Sequence, residues 1–161
     1  MIREVKESDC ADIAKIYNGY VAGSTATFEI TAVSENEMRH RIADISSEYP
    51  YFVSELDGAV AGYCYAHRWK EREAYSKTLE TTVYVSPEYI GKGVGKKLME
   101  RLIEECRKRG IKALIACITA ENENSRTFHL RLGFKQVSMF ENVGMKFGRE
   151  LDVTDYELLL R

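Results

Sequence analysis

The chain has 161 residues, of which 45% are hydrophobic and 30% are charged, and its formal net charge at pH 7 is −2. This length and composition are typical of one folded domain, so we expect a single domain that spans residues 1–161. A charge so close to zero argues against a broad basic surface for nucleic acid, although it leaves room for a small basic pocket. No apolar run approaches the ~20 residues that a membrane span needs, so we expect no membrane partner.

The N-terminus and the cysteines point to one compartment. The sequence MIREVKESD is charged from its third residue onward, unlike a secretory signal. The four cysteines are scattered and include no C-x-x-C pair, which argues against a zinc site or a disulfide framework. We therefore expect a cytoplasmic protein with reduced thiols and no bound metal.

The first fifty residues predict one strand and two helices. Residues 2–5 have the apolar alternation of a short strand, and Ser8 and Asp9 are candidate caps for a helix that ends at residues 23–24. Ser34 followed three residues later by Glu37 is the signature of a capping box at the start of a second helix.

The remainder predicts alternating strands and helices. The pair Asp57-Gly58 between YFVSEL and AVAGYCYA favours a hairpin, and residues 67–76 form a polar loop. LETTVYV is a strand, a helix runs from Val94 to a stop at Gly110, ALIACIT is a buried strand, and ENENSRTFHLRLGF is a short helix. KQVSMF and RELDVTDYELLL are two further strands. The order β-α-α-β-β-β-α-β-α-β-β predicts an α/β (α+β) fold with a mixed sheet and helices on both faces.

Three glycines at every second position separate the strand LETTVYV from the long helix. Gly91, Gly93 and Gly95, with Lys92 and Lys96 between and beside them, form a turn into a helix N-terminus, which is typical of an anion site. The spacing G-x-G-x-G is not the Rossmann fingerprint, and no Walker loop is present. A structural turn without a ligand is the remaining alternative.

Seven segments together resemble the GNAT superfamily of acetyl-CoA-dependent N-acetyltransferases. They are IYNGYV, TATFEI, RWKEREAY, KTLETTVYV, IGKGVGKKL, NENSRTFHLRLGF and VGMKFGRELDV. The chain is most similar to the phosphinothricin N-acetyltransferase branch, which acetylates small amino-acid-like amines. The resemblance implies the GNAT fold, a mostly antiparallel sheet of about seven strands with about four helices and splayed strands that hold coenzyme A. It also implies a homodimer. Two residues depart from the family pattern. Ile90 stands where glutamine or arginine is usual, and Glu150 stands where this branch often has tryptophan.

Two residues are candidates for proton transfer. Glu80, Thr82 and Tyr84 alternate onto one face of their strand, just before the glycine turn. The resemblance implies that Glu80 is the base, directly or through water, and that His129 is the acid that serves the departing thiolate. The alternative for Glu80 is a plain strand carboxylate, exposed or paired with Arg72 or Lys77. We expect His40 on the surface and His67 in the loop near the pocket.

The resemblance also implies a set of cofactor-binding positions. The backbone of the strand before the turn would pair with the pantetheine arm, the glycine turn would hold the diphosphate, and two polar residues would close the other side. These positions are Val83, Tyr84, Val85, Gly91, Lys92, Gly93, Val94, Gly95, Lys96, Asn122 and Ser125. Asn122 and Ser125 share a helix face with His129.

Substrate recognition is expected in two loops. The candidate substrate-binding positions are Phe28, Arg72 and Glu80, together with Glu73, Ala74 and Tyr75, for which the resemblance implies contact with the substrate. An arginine such as Arg72 suits an amino-acid carboxylate, and an exposed loop charge is the alternative. We therefore expect an N-acetyltransferase in which a small amine attacks the thioester of acetyl-CoA directly. The alternatives are a protein or peptide N-acetyltransferase and a non-catalytic acyl-CoA-binding module.

Overall fold

Eight strands and four helices make up the fold in the computed structural model, which describes residues 1–161. The strands are β1 (Ile2–Glu4), β2 (Tyr51–Leu56), β3 (Ala59–Arg68), β4 (Thr78–Val85), β5 (Ala113–Thr119), β6 (Lys135–Gln136), β7 (Phe140–Lys146) and β8 (Arg149–Leu159). The helices are α1 (Cys10–Gly23), α2 (Glu35–Ser46), α3 (Val94–Lys108) and α4 (Glu123–Arg131). None of these helices is long and apolar enough to cross a lipid bilayer.

The strands form one mixed sheet in the order β1-β2-β3-β4-β5-β8-β6, and β7 also pairs with β8. Every pairing is antiparallel except that of β4 with β5, which is parallel. The parallel ladder has only three register pairs, and the last joins Glu80 to Ile115. Beyond it β4 continues to Val85 along β3, and β5 continues to Thr119 along β8. The sheet is therefore open between these two strands, as the predicted fold requires.

Two hydrophobic cores cover the two faces of the sheet. On one face α3 packs its apolar side, including the fully buried Leu98 and Leu102, against Cys64 of β3. On the other face α1 and α2 pack Ile13 and their neighbours against Tyr63 and the adjoining residues of β2 and β3. The alternation of the strands sends neighbouring residues to opposite cores.

The structure confirms the predicted hairpin at Asp57-Gly58 and the predicted helix cap at Ser34. Asp57 and Gly58 both have positive φ angles, 53° and 79°, and join β2 to β3 as a hairpin. Ser34 caps α2 by accepting a hydrogen bond from the Glu37 amide at 3.0 Å. The reciprocal half of the capping box is absent, because the Glu37 carboxylate pairs with Arg41.

The predicted cap of α1 is wrong. The Asp9 side chain makes no capping bond to that helix. Its carboxylate instead accepts from the Lys6 amide at 2.7 Å and pairs with Arg3 at 2.9 Å. A short 3₁₀ turn, Glu7–Asp9, precedes the helix, so the carboxylate closes that turn.

The C-terminal region differs from the sequence prediction. The segment KQVSMF is not one strand, because β6 ends at Gln136 and β7 begins only at Phe140. The additional strand β7 forms a hairpin with β8 through Phe147 and Gly148, which both have positive φ. His67 lies near the end of β3 rather than in a loop. The sheet therefore has one strand more than the seven that we expected.

Candidate active site

A cavity of about 800 Å³ lies where β4 and β5 part. Its walls are the second half of each strand, the exposed side of α4 and the loop that follows α1. The lining includes Ser24, Ala26, Phe28, Glu80, Thr81, Thr82, Val83, Tyr84, Val85, Cys117, Thr119, Glu121, Asn122, Ser125, Phe128 and His129. The opening of the sheet thus creates this recess.

Backbone groups of β4 face this opening without a strand partner. The Ser86 amide donates to the Ala61 carbonyl of β3 at 2.8 Å. Successive residues of a strand turn their peptide groups to opposite sides, so those of Val83 and Val85 point toward β5. The Val85 carbonyl is used there, because it accepts a hydrogen bond from the Tyr20 hydroxyl of α1. The Val83 amide and carbonyl and the Val85 amide remain for a ligand or water.

The glycine turn at the start of α3 presents unpaired amides. Gly91 and Gly93 both have φ of 81°, which favours glycine, and Gly93 is the N-cap of the helix. The first intrahelical bond runs from the Lys97 amide to the Gly93 carbonyl at 3.1 Å, so the amides of residues 93–96 have no backbone acceptor. Free amides and the helix dipole together favour an anion at this end of the cleft.

Glu80 faces His67 across the β3–β4 ladder. The two residues are register partners, and His67 Nε2 lies 3.5 Å from Glu80 Oε2. His67 Nδ1 lies 2.9 Å from the Arg68 carbonyl oxygen. The Glu80 carboxylate raises the pKa of His67 above its ordinary value. Glu80 pairs with neither Arg72 nor Lys77, which were its expected structural alternatives.

His129 occupies a much drier position on α4. Its side chain is buried between the rings of Phe128 and Phe134, with centroid distances of 5.2 and 5.1 Å. Nδ1 lies 2.8 Å from the Ser125 carbonyl oxygen, so Nδ1 carries the hydrogen and the neutral ring has a bare Nε2. Burial lowers the pKa of His129. The imidazole is therefore neutral at pH 7 and must gain a proton before it can act as an acid.

Strand β7 holds the loop after α1 against the cavity. The Lys146 ammonium is buried and donates to the carbonyls of Ser24 and Thr27 at 2.7 and 2.8 Å. Burial lowers the pKa of Lys146, and no carboxylate pairs with it. A β-carbon at Gly144 would overlap the ring of Phe28, so the absence of a side chain there allows that ring to pack against β7. The β7–β8 hairpin thus fixes the position of Phe28.

Comparison with known proteins identifies the family. Residues 2–154 match the acetyltransferase (GNAT) domain family. The chain belongs to the GNAT acetyltransferase family. It is 39% identical to the L-amino acid N-acyltransferase MnaT of Escherichia coli (strain K12), over 99% of this chain and 93% of that protein. It is also 39% identical to a phosphinothricin N-acetyltransferase of Alcaligenes faecalis, over 94% of this chain and 78% of that protein.

A solved GNAT structure shows the same fold with its cofactor. The crystal structure of a GNAT superfamily phosphinothricin acetyltransferase from Sinorhizobium meliloti, in complex with acetyl-CoA, superimposes with a TM-score of 0.96. The two sequences are 36% identical, and the match covers 99% of this chain and 88% of that one. The fold and the enzyme class of this chain are therefore those of a GNAT N-acetyltransferase.

The GNAT cavity contains many of the predicted site residues but not all of them. Those in its lining are Phe28, Glu80, Val83, Tyr84, Val85, Gly95, Asn122, Ser125 and His129. Gly91, Lys92, Gly93, Val94 and Lys96 lie in the turn and first helical residues beside it. Arg72, Glu73, Ala74 and Tyr75 lie outside the lining, in the loop and 3₁₀ turn before β4. Ile90 lines the cavity and is exposed, whereas Glu150 lies on β8 opposite Met145.

Sequence reasoning missed several residues of the GNAT site. The Tyr20 hydroxyl donates a hydrogen bond to the Val85 carbonyl. In the sequence, Tyr20 fits the apolar spacing of α1, which predicts a core residue rather than a site residue. Thr119 donates to the Thr25 carbonyl, and Glu121 accepts from the Thr25 hydroxyl at 2.6 Å, so the end of β5 holds the same loop as Lys146. These contacts join residues more than 90 positions apart, and no local pattern could reveal them.

Replacing Lys146 with methionine tests whether its ammonium holds the loop after α1. Methionine keeps much of the length and removes both hydrogen bonds, so we expect amide hydrogen exchange in residues 24–28 to become about tenfold faster. The measurement is exchange followed by mass spectrometry on wild type and Lys146→Met. Lys135→Met, at an exposed position of β6, is the matched control. Unchanged exchange in the loop would show that Phe28 and Thr119 suffice to hold it.

Proposed function

We propose that this GNAT enzyme transfers the acetyl group of acetyl-CoA to the amine of a small amino-acid-like substrate of the phosphinothricin or methionine sulfoximine or sulfone type. The main support is that one cleft combines the unpaired peptide groups of β4 with Glu80 and His129. Two relatives favour this substrate class, one named as an L-amino acid N-acyltransferase and the other as a phosphinothricin N-acetyltransferase. Four free cysteines agree with our prediction of a cytoplasmic protein.

The groups along the cleft fit acetyl-CoA. The peptide groups of Val83 and Val85 offer donors and an acceptor to the two amides of the pantetheine arm. The amides of residues 93–96 suit the diphosphate, and Lys92 and Lys96 add positive charge beside it. Across the cleft, Asn122 Oδ1 accepts from the Ser125 amide at 3.1 Å, so only the side-chain nitrogen of Asn122 remains to donate to the ligand.

The residues of the cleft divide the acetyl transfer between them. Bound acetyl-CoA supplies an activated acetyl group as a thioester, which the substrate amine attacks directly. Glu80 removes the proton that makes the ammonium unreactive. The Val85 amide is the donor that suits the thioester oxygen, because the Tyr84 amide faces β3. After the attack the nitrogen still carries one excess proton, which the bare Nε2 of His129 takes up and passes to the departing sulfur, so the two protons lost by the ammonium go to Glu80 and to the thiol.

Recognition of a substrate carboxylate needs a residue from outside the lining. The cavity of one chain is lined by neither lysine nor arginine, and of its two carboxylates Glu121 is already paired with Arg149, so Glu80 is the one left for the ammonium group. We assign the carboxylate to Arg72, in the exposed loop before β4, where Trp69 and Tyr75 stack edge-to-face at 5.3 Å. Arg72 has no ion-pair partner within the chain.

A second copy of the chain is the partner that we propose for β7. This strand pairs only with β8 and leaves its other edge free. Phe140, Val143 and Met145 of β7, and Phe147 in the turn that follows, are 49–58% exposed. A free apolar edge promotes pairing between chains, and a two-fold axis lets both copies bury the same residues. Such a homodimer would place its interface next to Phe28, which Gly144 contacts.

Glu80→Gln tests the assignment of the base. Glutamine preserves size but cannot accept a proton, so we expect kcat to fall about 10²- to 10³-fold, while the Kd for acetyl-CoA stays within about twofold. Thiol release and calorimetry measure the two quantities. An exposed carboxylate of similar type, altered in Glu88→Gln, is the control. Unchanged turnover in Glu80→Gln would exclude Glu80 as the base.

A panel of amines offered to wild type and Arg72→Gln tests the substrate class. We expect thiol release with L-amino acids and with their sulfone, sulfoximine or phosphinic analogues, and little with proteins or peptides. Loss of the guanidinium should raise KM for amino acids by about 10- to 100-fold, because an ion-assisted hydrogen bond is lost. Amines that lack a carboxylate should be unaffected. Tight acetyl-CoA binding with no turnover on any amine would favour the non-catalytic module.

Val143→Glu combined with Met145→Glu tests the homodimer. Charges on the β7 edge should convert a dimer to a monomer in sedimentation analysis at micromolar concentration, because buried carboxylates of the two copies would repel each other. Leu130→Glu, at an exposed site on α4, is the control and should leave the dimer intact. A wild-type monomer at all concentrations would contradict this interface.

A further inference from the structure

We propose that His67 is a positioning residue for Glu80 and that the two side chains act as a pair that holds one proton and returns the proton of the substrate to solvent. The proposal rests on the proposed function, since it takes Glu80 as the base. It concerns a residue that the sequence placed in a loop and that the structure places in β3.

The hydrogen-bonding options of the His67 ring carry this inference. Nδ1 lies 2.9 Å from the Arg68 carbonyl oxygen, which accepts and never donates, so Nδ1 keeps its hydrogen. Nε2 then has a hydrogen only when the ring is cationic. It faces Glu80 Oε2 at 3.5 Å, and an ionised carboxylate has no hydrogen of its own. The contact between Nε2 of His67 and Oε2 of Glu80 is therefore attractive only when a proton lies on one of these two atoms.

The strands fix this contact from both sides. His67 and Glu80 are register partners, so the antiparallel ladder holds their β-carbons side by side on one face. The rings of Tyr65 and His67 lie 5.7 Å apart, which restricts the imidazole on its other side. Both side chains are about one-third exposed, at 33% and 31%, so the pair also reaches solvent.

Among the groups near Glu80, His67 is the one whose charge changes close to neutral pH. Desolvation raises the pKa of Tyr65 on β3 and raises that of Cys117 on β5 to about 12, so both stay neutral. On the same face the loop after α1 and helix α2 contribute Glu29 and Arg41, which form a permanent ion pair. Tyr17 of α1, next to this pair, stays neutral because burial raises its pKa to about 12.

The pair can take up one proton and release another. In the resting state Glu80 is ionised and His67 is cationic. When Glu80 takes a proton from the substrate ammonium, the carboxylate charge that stabilised the imidazolium disappears, and His67 releases its proton to water from Nε2. The carboxyl proton then moves to the free Nε2, which restores the resting pair. One proton enters from the amine and one leaves to solvent, so the balance closes.

His67→Ala and His67→Gln separate this role from simple packing. Both variants remove the partner that shares its proton with Glu80 at Nε2, so the acid limb of kcat/KM should move to higher pH in both. We expect kcat to fall about tenfold in His67→Ala and less in His67→Gln, whose amide can still donate to Oε2. KM for acetyl-CoA should stay within about twofold. His40→Ala, on the exposed side of α2, is the control.

A second measurement does not depend on activity. The chain has three histidines, so the His67 resonance is assigned by comparison with His67→Ala, and its titration by NMR is followed in wild type and in Glu80→Gln. We expect the pKa of His67 to fall when the carboxylate is removed. An identical His67 titration in both proteins, or an unshifted acid limb in both His67 variants, would overturn the proposal. If no amine is acetylated, the proposed function fails, while the titration still decides whether the pair exists.

Discussion

The parting of β4 from β5 after Glu80 and Ile115 is the constraint on which the site depends. Beyond that point β4 stays paired with β3, and β5 stays paired with β8. The gap therefore lies between two intact ladders. Two side chains line the gap: the Tyr20 hydroxyl donates to the Val85 carbonyl, and Phe128 of α4 forms part of the cavity wall. Backbone groups are costly to leave unpaired, and here they are left where a ligand with amides of its own can meet them.

The gap also lets the two faces of the sheet contribute to one site. Alternation along β4 places Glu80 on the face covered by α1 and α2, whereas α4 and His129 pack with the core that contains α3. The two histidines of the site consequently lie in different environments. The pKa of His67 is raised by the Glu80 carboxylate, and the pKa of His129 is lowered by burial. The groups that we propose for proton acceptance and proton donation thus lie on opposite sides of the cleft.

The sequence predicted those features whose cause is local. The helix that begins at Val94 and the hairpin turn at Asp57 each follow from residues that lie within a few positions of one another. The sequence analysis did not predict strand β7. Its apolar residues are exposed to solvent, so they do not produce the alternation of buried and exposed residues that indicates a strand.

The missed parts of the site have a different cause, which is long-range register. The pairing of His67 with Glu80 depends on how β3 and β4 align across the loop between them, and the contact of Tyr20 with Val85 spans 65 positions. Residue spacing made Glu80 and His129 candidates, and the family resemblance supplied their proposed roles. The spacing of residues in the sequence places Glu80 on one face of a strand and His129 on one face of a helix. It does not show that these two faces meet at the same cavity.

The two ends of the cleft differ in electrostatic character, and this difference favours one orientation of an extended ligand. At the start of α3 the unpaired amides of residues 93–96 and the adjacent lysines favour negative charge. At the other end Glu80 and Glu121 line the cavity, but Arg149 pairs with Glu121 and His67 faces Glu80, so this end does not carry two free negative charges. A molecule with an anionic head and a neutral arm is therefore oriented by the anion site at α3, with its far end toward Glu80. In the proposed reaction the ammonium group meets Glu80 as a close hydrogen-bond acceptor, so short-range contact rather than a broad negative field brings the two reacting partners together.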